Sequence, residues 1–159
     1  KKFFKMEFIL FMSQIDKEII ELVKSANYSI EENTTLCLLG NQFVGFHKKK
    51  EREIIICTEN AKKLGHYKEN INIKNNENHK TKLYLRRALR HEATHLAQGC
   101  NDNSPTEIIK DIDKKIHPSK LRALRDSVKI SGNMRKEIEA YVMEDKPFKV
   151  KEAIEKYCL

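Results

Sequence analysis

The sequence TKLYLRRALRHEATHLAQ, residues 81–98, decides how the rest of the chain is interpreted. It contains neither glycine nor proline, and most of its residues are strong helix formers. Its apolar side chains recur at spacings of three and four, which is the period of one face of an α-helix. Glu92 and His95 fall on that apolar face. The segment therefore predicts a helix that carries chemically active side chains toward the protein interior.

His91 and His95 lie four residues apart, so a helix places them one turn apart on the same side. Together with Glu92 they form the pattern H-E-x-x-H, in which two histidines bind zinc and the glutamate acts as general base on a zinc-bound water. The pattern is short, and a second interpretation stays open: two buried structural histidines beside a hydrogen-bonded glutamate, without metal. Gly99 is predicted to end the helix.

A catalytic zinc usually has three protein ligands and one open position, so a third ligand is needed. The downstream candidates with a suitable side chain are Asp111, Asp113, His117, Glu137 and Glu139. On a predicted helix over residues 134–144, only one of the two glutamates is expected to face the interior, and Glu137 lies nearer the apolar stripe. We predict Glu137 as the third ligand and keep Glu139 as the alternative. Solvent exposure of both glutamates is the competing interpretation.

The hydropathy pattern predicts an α+β fold within a single domain over residues 1–159. A first helix, capped by Ser13 or Asp16, is expected to reach Ala26. Alternating and β-branched stretches at 34–39, 42–48 and 53–58 predict a small antiparallel sheet of about three strands, which offers an edge to an extended peptide. Residues 59–80 read as a polar loop with a short helix at 61–64. Further helices are predicted at 106–112, 118–130, 134–144 and from Pro147 onward.

The start of the chain combines lysines with apolar residues, but it shows no small-residue cleavage site. Residues 1–12 are therefore interpreted as a disordered or wrongly assigned N-terminal extension. No apolar run reaches membrane-spanning length, so no membrane partner is expected. Four cysteines without a C-x-x-C pair suggest buried free thiols in a cytoplasmic protein, with contact between Cys100 and Cys158 left open.

The net charge of +8 raises the question of nucleic-acid binding. The lysines are spread along the chain instead of forming one basic segment, and the run at 47–52 is mixed in sign. Nucleic acid is therefore the less favoured partner.

The segment Glu137-Ile138-Glu139-Ala140, which begins 42 residues after His95, resembles the third-ligand helix of the gluzincin branch of the zincin metallopeptidases. The chain is also similar to small uncharacterised zincin-like proteins of cyanobacteria, through residues 91–100, 137–141 and the ending Tyr157-Cys158. The resemblance covers the region from about Leu83 to the C-terminus.

This resemblance implies His91, His95 and Glu137 as zinc ligands and Glu92 as general base. It implies a hydrolase, a metallopeptidase that uses Zn²⁺ to cleave a peptide or protein substrate. The alternative is a catalytically inactive zincin-like module with a binding or regulatory role, including nucleic-acid binding.

Overall fold

Six α-helices and three strands lie within the parts of the chain that the computed structural model describes, residues 6–69 and 78–159. The helices are α1 (Gln14–Ser25), α2 (Thr58–Leu64), α3 (His79–Cys100), α4 (Leu121–Ser131), α5 (Met134–Met143) and α6 (Pro147–Cys158). The strands are β1 (Ser29–Glu32), β2 (Gly45–Lys48) and β3 (Glu53–Ile56). This composition confirms the predicted α+β class. The asparagine-rich part of the predicted loop, residues 70–77, lies outside the described residues.

The central element is α3, which packs against α1, α2, α5, α6 and two strands of the sheet. Leu85, Leu89 and Leu96 on its apolar face have no solvent exposure. Gly99 does not end the helix as predicted, because α3 continues to Cys100. None of the helices in the described ranges is long and apolar enough to span a bilayer.

The sheet is mixed, so the predicted antiparallel meander is wrong. Its strand order is β1-β3-β2, with β1 parallel and β2 antiparallel to β3. The predicted first strand at 34–39 is instead a 3₁₀ helix, Thr35–Leu39. The side-chain amide of Asn60 donates to the carbonyls of Cys37, Gly40 and Phe43, and these bonds stabilise the helical conformation of this segment. The strand at the other edge is Ser29–Glu32, a segment for which no strand was predicted.

Two disulfides join Cys37 to Cys57 and Cys100 to Cys158, so the expectation of free thiols is wrong. Each pair is brought together by the fold, across 20 and 58 residues of sequence respectively. The second disulfide ties the end of α3 to the end of α6. Disulfides persist mainly in oxidising compartments. This pairing is therefore not typical of the reducing cytoplasm that the sequence suggested, and the cellular location stays a prediction.

Residues 6–12 are an ordered part of the core, which contradicts their assignment to a disordered extension. Glu7–Phe11 forms a 3₁₀ helix, and Phe8 and Phe11 are buried. The Glu32 carboxylate accepts hydrogen bonds from the backbone N–H groups of Glu7 and Phe8, at 3.1 and 2.9 Å, which fixes the segment to the sheet. Residues 1–5 lie outside the described part of the chain.

A buried ion pair locks α1 onto α3. Of the two predicted caps, Ser13 is the N-cap of α1. Its hydroxyl donates a hydrogen bond to the Asp16 carboxylate at 2.6 Å. Asp16 is fully buried and accepts two hydrogen bonds from the Arg90 guanidinium, at 2.8 and 3.0 Å. Arg90 precedes the H-E-x-x-H motif directly, so this pair helps to fix the orientation of the motif-bearing helix.

The helix predicted at 106–112 does not form, whereas the later helices agree with prediction. The Glu139 carboxylate accepts hydrogen bonds from the backbone N–H groups of Thr106 and Glu107, both at 2.9 Å, and these bonds hold the segment in an irregular conformation. Gly132 ends α4 with a φ of 73°, a left-handed conformation that favours glycine.

Candidate metal centre

The two histidines of α3 face a glutamate from α5. His91 and His95 lie one turn apart, and their Nε2 atoms are 3.6 and 3.4 Å from Glu137 Oε1. One potential ligand atom from each of the three residues falls within 4.8 Å of the other two. Their side chains are only 12%, 14% and 7% exposed. The structure thus brings together the three residues predicted as ligands.

The other ring nitrogen of each histidine has a hydrogen-bond partner. His91 Nδ1 lies 2.8 Å from Glu144 Oε2, and the second oxygen of Glu144 is 3.1 Å from Lys120 Nζ. His95 Nδ1 lies 2.8 Å from Gln98 Oε1. These contacts fix the orientation of both rings. Partners of this kind are typical of metal-binding histidines, whose ligand strength they increase.

The surroundings of Gln98 determine which nitrogen of His95 carries the proton. Gln98 Nε2 donates to the Lys136 carbonyl at 3.0 Å and to Glu139 Oε1 at 2.9 Å. Because both contacts require a donor, the amide oxygen must face His95, where it accepts a hydrogen bond from Nδ1–H. Neutral His95 therefore presents an unprotonated Nε2 to Glu137. The same reasoning applies to His91, whose Nδ1 faces the carboxylate of Glu144.

This arrangement requires positive charge at its centre. Two Nε2 lone pairs and the Glu137 carboxylate are all acceptors, and three converging acceptors repel each other unless a proton or a cation lies between them. In the metal-free chain a proton takes this role. Burial disfavours the His91 imidazolium, but hydrogen bonds to Glu137 and Glu144 outweigh burial and raise the pKa of His91 to about 10. Burial likewise opposes ionisation of Glu137, yet the two histidines lower its pKa well below the usual range.

The donor set and its dimensions fit zinc. Zinc binds imidazole nitrogen and carboxylate oxygen at about 2.0–2.1 Å, and tetrahedral angles then separate neighbouring ligand atoms by about 3.3–3.4 Å. The observed separations of 3.4 and 3.6 Å are close to this value. Since the three ligand atoms lie within 4.8 Å of one another, the three residues can hold one zinc ion after adjustment of their side chains.

Glu92 lies beside this cluster without joining it. Its side chain is buried, and its carboxylate accepts no hydrogen bond from any residue in the described ranges. Burial raises the pKa of Glu92, and the electrostatic interactions with the two neighbouring imidazoles offset this only in part. The start of β2 packs against it, since a Cβ on Gly45 would lie 3.1 Å from Glu92 Oε2. An ionisable carboxylate without a fixed partner is suited to accept a proton.

Both glutamates of α5 are buried, so the expectation that only one could face the interior is wrong. Glu139 has no solvent exposure and binds the amide of Gln98 and the segment at Thr106 instead of the histidines. Among the other ligand candidates, His117 contacts Ser119 in a surface turn and Asp113 pairs with Arg135. Neither joins the cluster.

Sequence reasoning missed the residues that orient the cluster. Gln98 lies one turn after His95 and is buried, and Glu144 lies two turns after Glu137. The available signal was the position of Gln98, a polar residue next to the apolar stripe of a predicted helix. Glu144 carried no comparable signal, because it stands at the end of its helix beside charged neighbours.

The fold and the cluster together define an α+β protein with a candidate metal centre. The chain belongs to the DUF8637 family, a domain of unknown function, which it matches over residues 8–159. No curated protein and no solved structure matches it. The zincin resemblance therefore depends on the motif and the cluster alone, and it stays a prediction.

Proposed function

We propose that this protein is a zinc-dependent peptide hydrolase with His91, His95 and Glu137 as the metal ligands and Glu92 as the general base. The observation that carries the proposal is the convergence of two oriented imidazoles and one carboxylate at separations suited to a single tetrahedral ion. Orientation of both rings by Glu144 and Gln98 supports a metal site over chance packing of histidines.

Bound zinc would supply Lewis acidity and a nucleophilic water at neutral pH. The protein residues have separate tasks. Glu92 accepts the proton of the attacking water and passes it to the leaving amine. Burial raises its pKa above the ordinary carboxylate value, which makes the ionised side chain a stronger proton acceptor.

A peptide can reach this site along the sheet edge. β2 is an edge strand, hydrogen-bonded to β3 on one side, and its first residue Gly45 contacts Glu92. A cavity of about 490 Å³ opens at the same place, lined by Gly45, His91 and Glu92 among others. An extended peptide that pairs with β2 would present its carbonyl groups to the cluster.

The test is hydrolysis of a peptide library by the zinc-loaded wild type and by Glu92→Gln. We expect the wild type to cleave, and the variant to keep its zinc while losing at least about 100-fold in kcat, because the general base is gone and the ligands are not. Glu155→Gln, which removes an exposed carboxylate from α6, is the matched control and should behave as wild type.

Two outcomes would contradict the proposal. Full activity in Glu92→Gln would remove Glu92 from the mechanism. Stoichiometric zinc without cleavage of any peptide would instead indicate an inactive zinc-binding module, the alternative that the sequence left open.

A further inference from the structure

The cavity beside Glu92 contains a charge that the proposed mechanism does not use. Its walls come from the start of β2, from α2 and α3, and from one face of α4. At about 490 Å³ it has the size of an ordinary ligand pocket. It therefore has room for a long side chain of a bound peptide.

Most of the cavity wall is apolar. Val44 and Leu64 line one side, and Ile130 lies on α4. Ile130 is 79% exposed, although it is a large apolar side chain. An apolar wall of this kind would cover the aliphatic part of a substrate side chain, which is favourable because it removes apolar surface from water.

The cations around the cavity already have partners. Arg87 Nε donates to Asp145 at 2.9 Å, and Lys120 Nζ contacts Asp145 at 2.8 Å and Glu144 at 3.1 Å. Their charges are therefore largely neutralised within the protein, and neither is free to attract an acidic substrate.

Asp126 is a charged residue of the cavity wall without such a partner. It lies on α4 between Ala123 and Ile130, at the spacing that puts all three residues on one helix face, and that face lines the cavity. In the two described stretches of the chain, it has no hydrogen bond and no ion pair. The cavity thus combines apolar walls with a solvent-exposed carboxylate that lacks a partner in the protein and that the proposed mechanism does not use.

We propose that this cavity binds a lysine or arginine side chain of the substrate, next to the bond that is cleaved, and that Asp126 selects for its positive charge. The aliphatic part of such a side chain lies against the apolar wall while its charged end reaches Asp126. This inference rests on the proposed peptide hydrolysis and deepens it by naming the substrate class.

The overall charge of +8 works against basic peptides at long range. This repulsion is largely screened beyond about 8 Å at physiological salt, whereas contact with Asp126 acts over a few ångströms. The preference should therefore persist at about 0.15 M salt.

The test is direct binding to zinc-loaded Glu92→Gln, which separates recognition from cleavage. The probes are three blocked hexapeptides that differ only in one central residue, lysine, norleucine or glutamate, with Kd measured by NMR titration. We expect lysine to bind about three- to fivefold more tightly than norleucine, the size of one partly exposed ion pair, and glutamate to bind most weakly.

Second-site changes in the Glu92→Gln background assign the effect to one residue. Asp126→Asn should bind lysine and norleucine equally, and Asp126→Lys should prefer glutamate. Asp113→Asn removes an exposed carboxylate that does not line the cavity and is the matched control. It should keep the lysine preference.

Equal binding of lysine and norleucine before Asp126 is changed, or a lysine preference that survives Asp126→Asn, would overturn the inference. So would the failure of all three peptides to bind. These results are distinct from failure of the proposed function, which would appear as absence of zinc or absence of cleavage in the wild type.

Discussion

Replacement of Gly45 by alanine should slow the proposed hydrolysis while leaving the metal ligands intact. Gly45 is the first residue of β2 and lies where the sheet meets α3. A methyl group on Gly45 would lie 3.0 Å from Glu92 Cγ, 3.1 Å from Glu92 Oε2 and 3.4 Å from the Ala88 side chain. The first two distances are too short for a relaxed contact, so the Glu92 side chain must shift by a few tenths of an ångström.

The size of this shift determines the expected decrease in kcat. A misplacement of about 1 Å costs on the order of 100-fold in rate, and a proportionate scaling to about 0.4 Å gives roughly five- to tenfold in kcat. Gly45 does not have a positive φ, so alanine fits the backbone. We therefore expect the free energy of unfolding to change by less than about 1 kcal/mol, since reduced freedom of the unfolded chain offsets part of the crowding.

Gly99→Ala is the matched control, because Gly99 lies one turn beyond His95 on the same helix. Its added methyl group would meet only the flexible Lys49 side chain, at 3.6 Å, an ordinary contact distance. Gly99 is the last but one residue of α3, where the preference for alanine over glycine is less than the value of about 1 kcal/mol in a helix interior, so this variant should be at least as stable as wild type at unchanged kcat.

The assay compares kcat on one peptide substrate, zinc content by elemental analysis and thermal unfolding for both variants. A wild-type kcat in Gly45→Ala would refute the argued contact between β2 and the general base. Equal losses in both variants would show that any methyl group near the motif disturbs the site, and the specific role of Gly45 would be lost.

Three further predictions follow from other contacts. Gln98→Met removes the acceptor for His95 Nδ1 and should weaken zinc binding about 10- to 100-fold, measured by competition with a chelator. Glu139 keeps its hydrogen bonds to Thr106 and Glu107 in this variant. Unchanged zinc affinity would contradict the role of Gln98. Removal of the Cys100–Cys158 disulfide by serine substitution should lower the free energy of unfolding, measured in urea, by about 4 kcal/mol, because this disulfide closes the longer loop. Removal of Cys37–Cys57 should lower it by about 3 kcal/mol. The opposite order would contradict this reasoning. Burial raises the folded-state pKa of Glu92, so ionisation of this residue destabilises the metal-free fold as pH rises above its ordinary pKa. Glu92→Gln should therefore increase Tm at pH 7 but not at pH 4. An equal change in Tm at both pH values would exclude a titration effect.

The helix that carries the motif could be predicted from sequence because its signal is local. Apolar spacing and the absence of glycine and proline locate residues 81–98 within α3. Glu137 was predicted from helical position, and the structure places it against both histidines. The burial of Glu139 could not be predicted from the sequence, because two glutamates two residues apart can both be buried only if each has its own partners on a different side of α5.

The errors concern contacts between distant segments. Residues 34–39 have strand-forming composition, yet the Asn60 amide and the bond between Cys37 and Cys57 hold them as a 3₁₀ helix. The segment Ser29–Glu32 buries only Ile30, and its other three residues are polar; it forms a strand because an edge position tolerates polar side chains. Cysteine pairing likewise depends on the tertiary fold and cannot be deduced from spacing alone.

Zinc stoichiometry tests the central claim most directly. Protein purified without a metal-binding tag and reconstituted with zinc should contain about one zinc per chain in the wild type and in Glu92→Gln. His95→Ala and Glu137→Ala should lose it, with folding of each checked by circular dichroism. A wild type that binds no zinc after reconstitution, or a folded Glu137→Ala that binds zinc as tightly as wild type, would contradict the proposed metal centre.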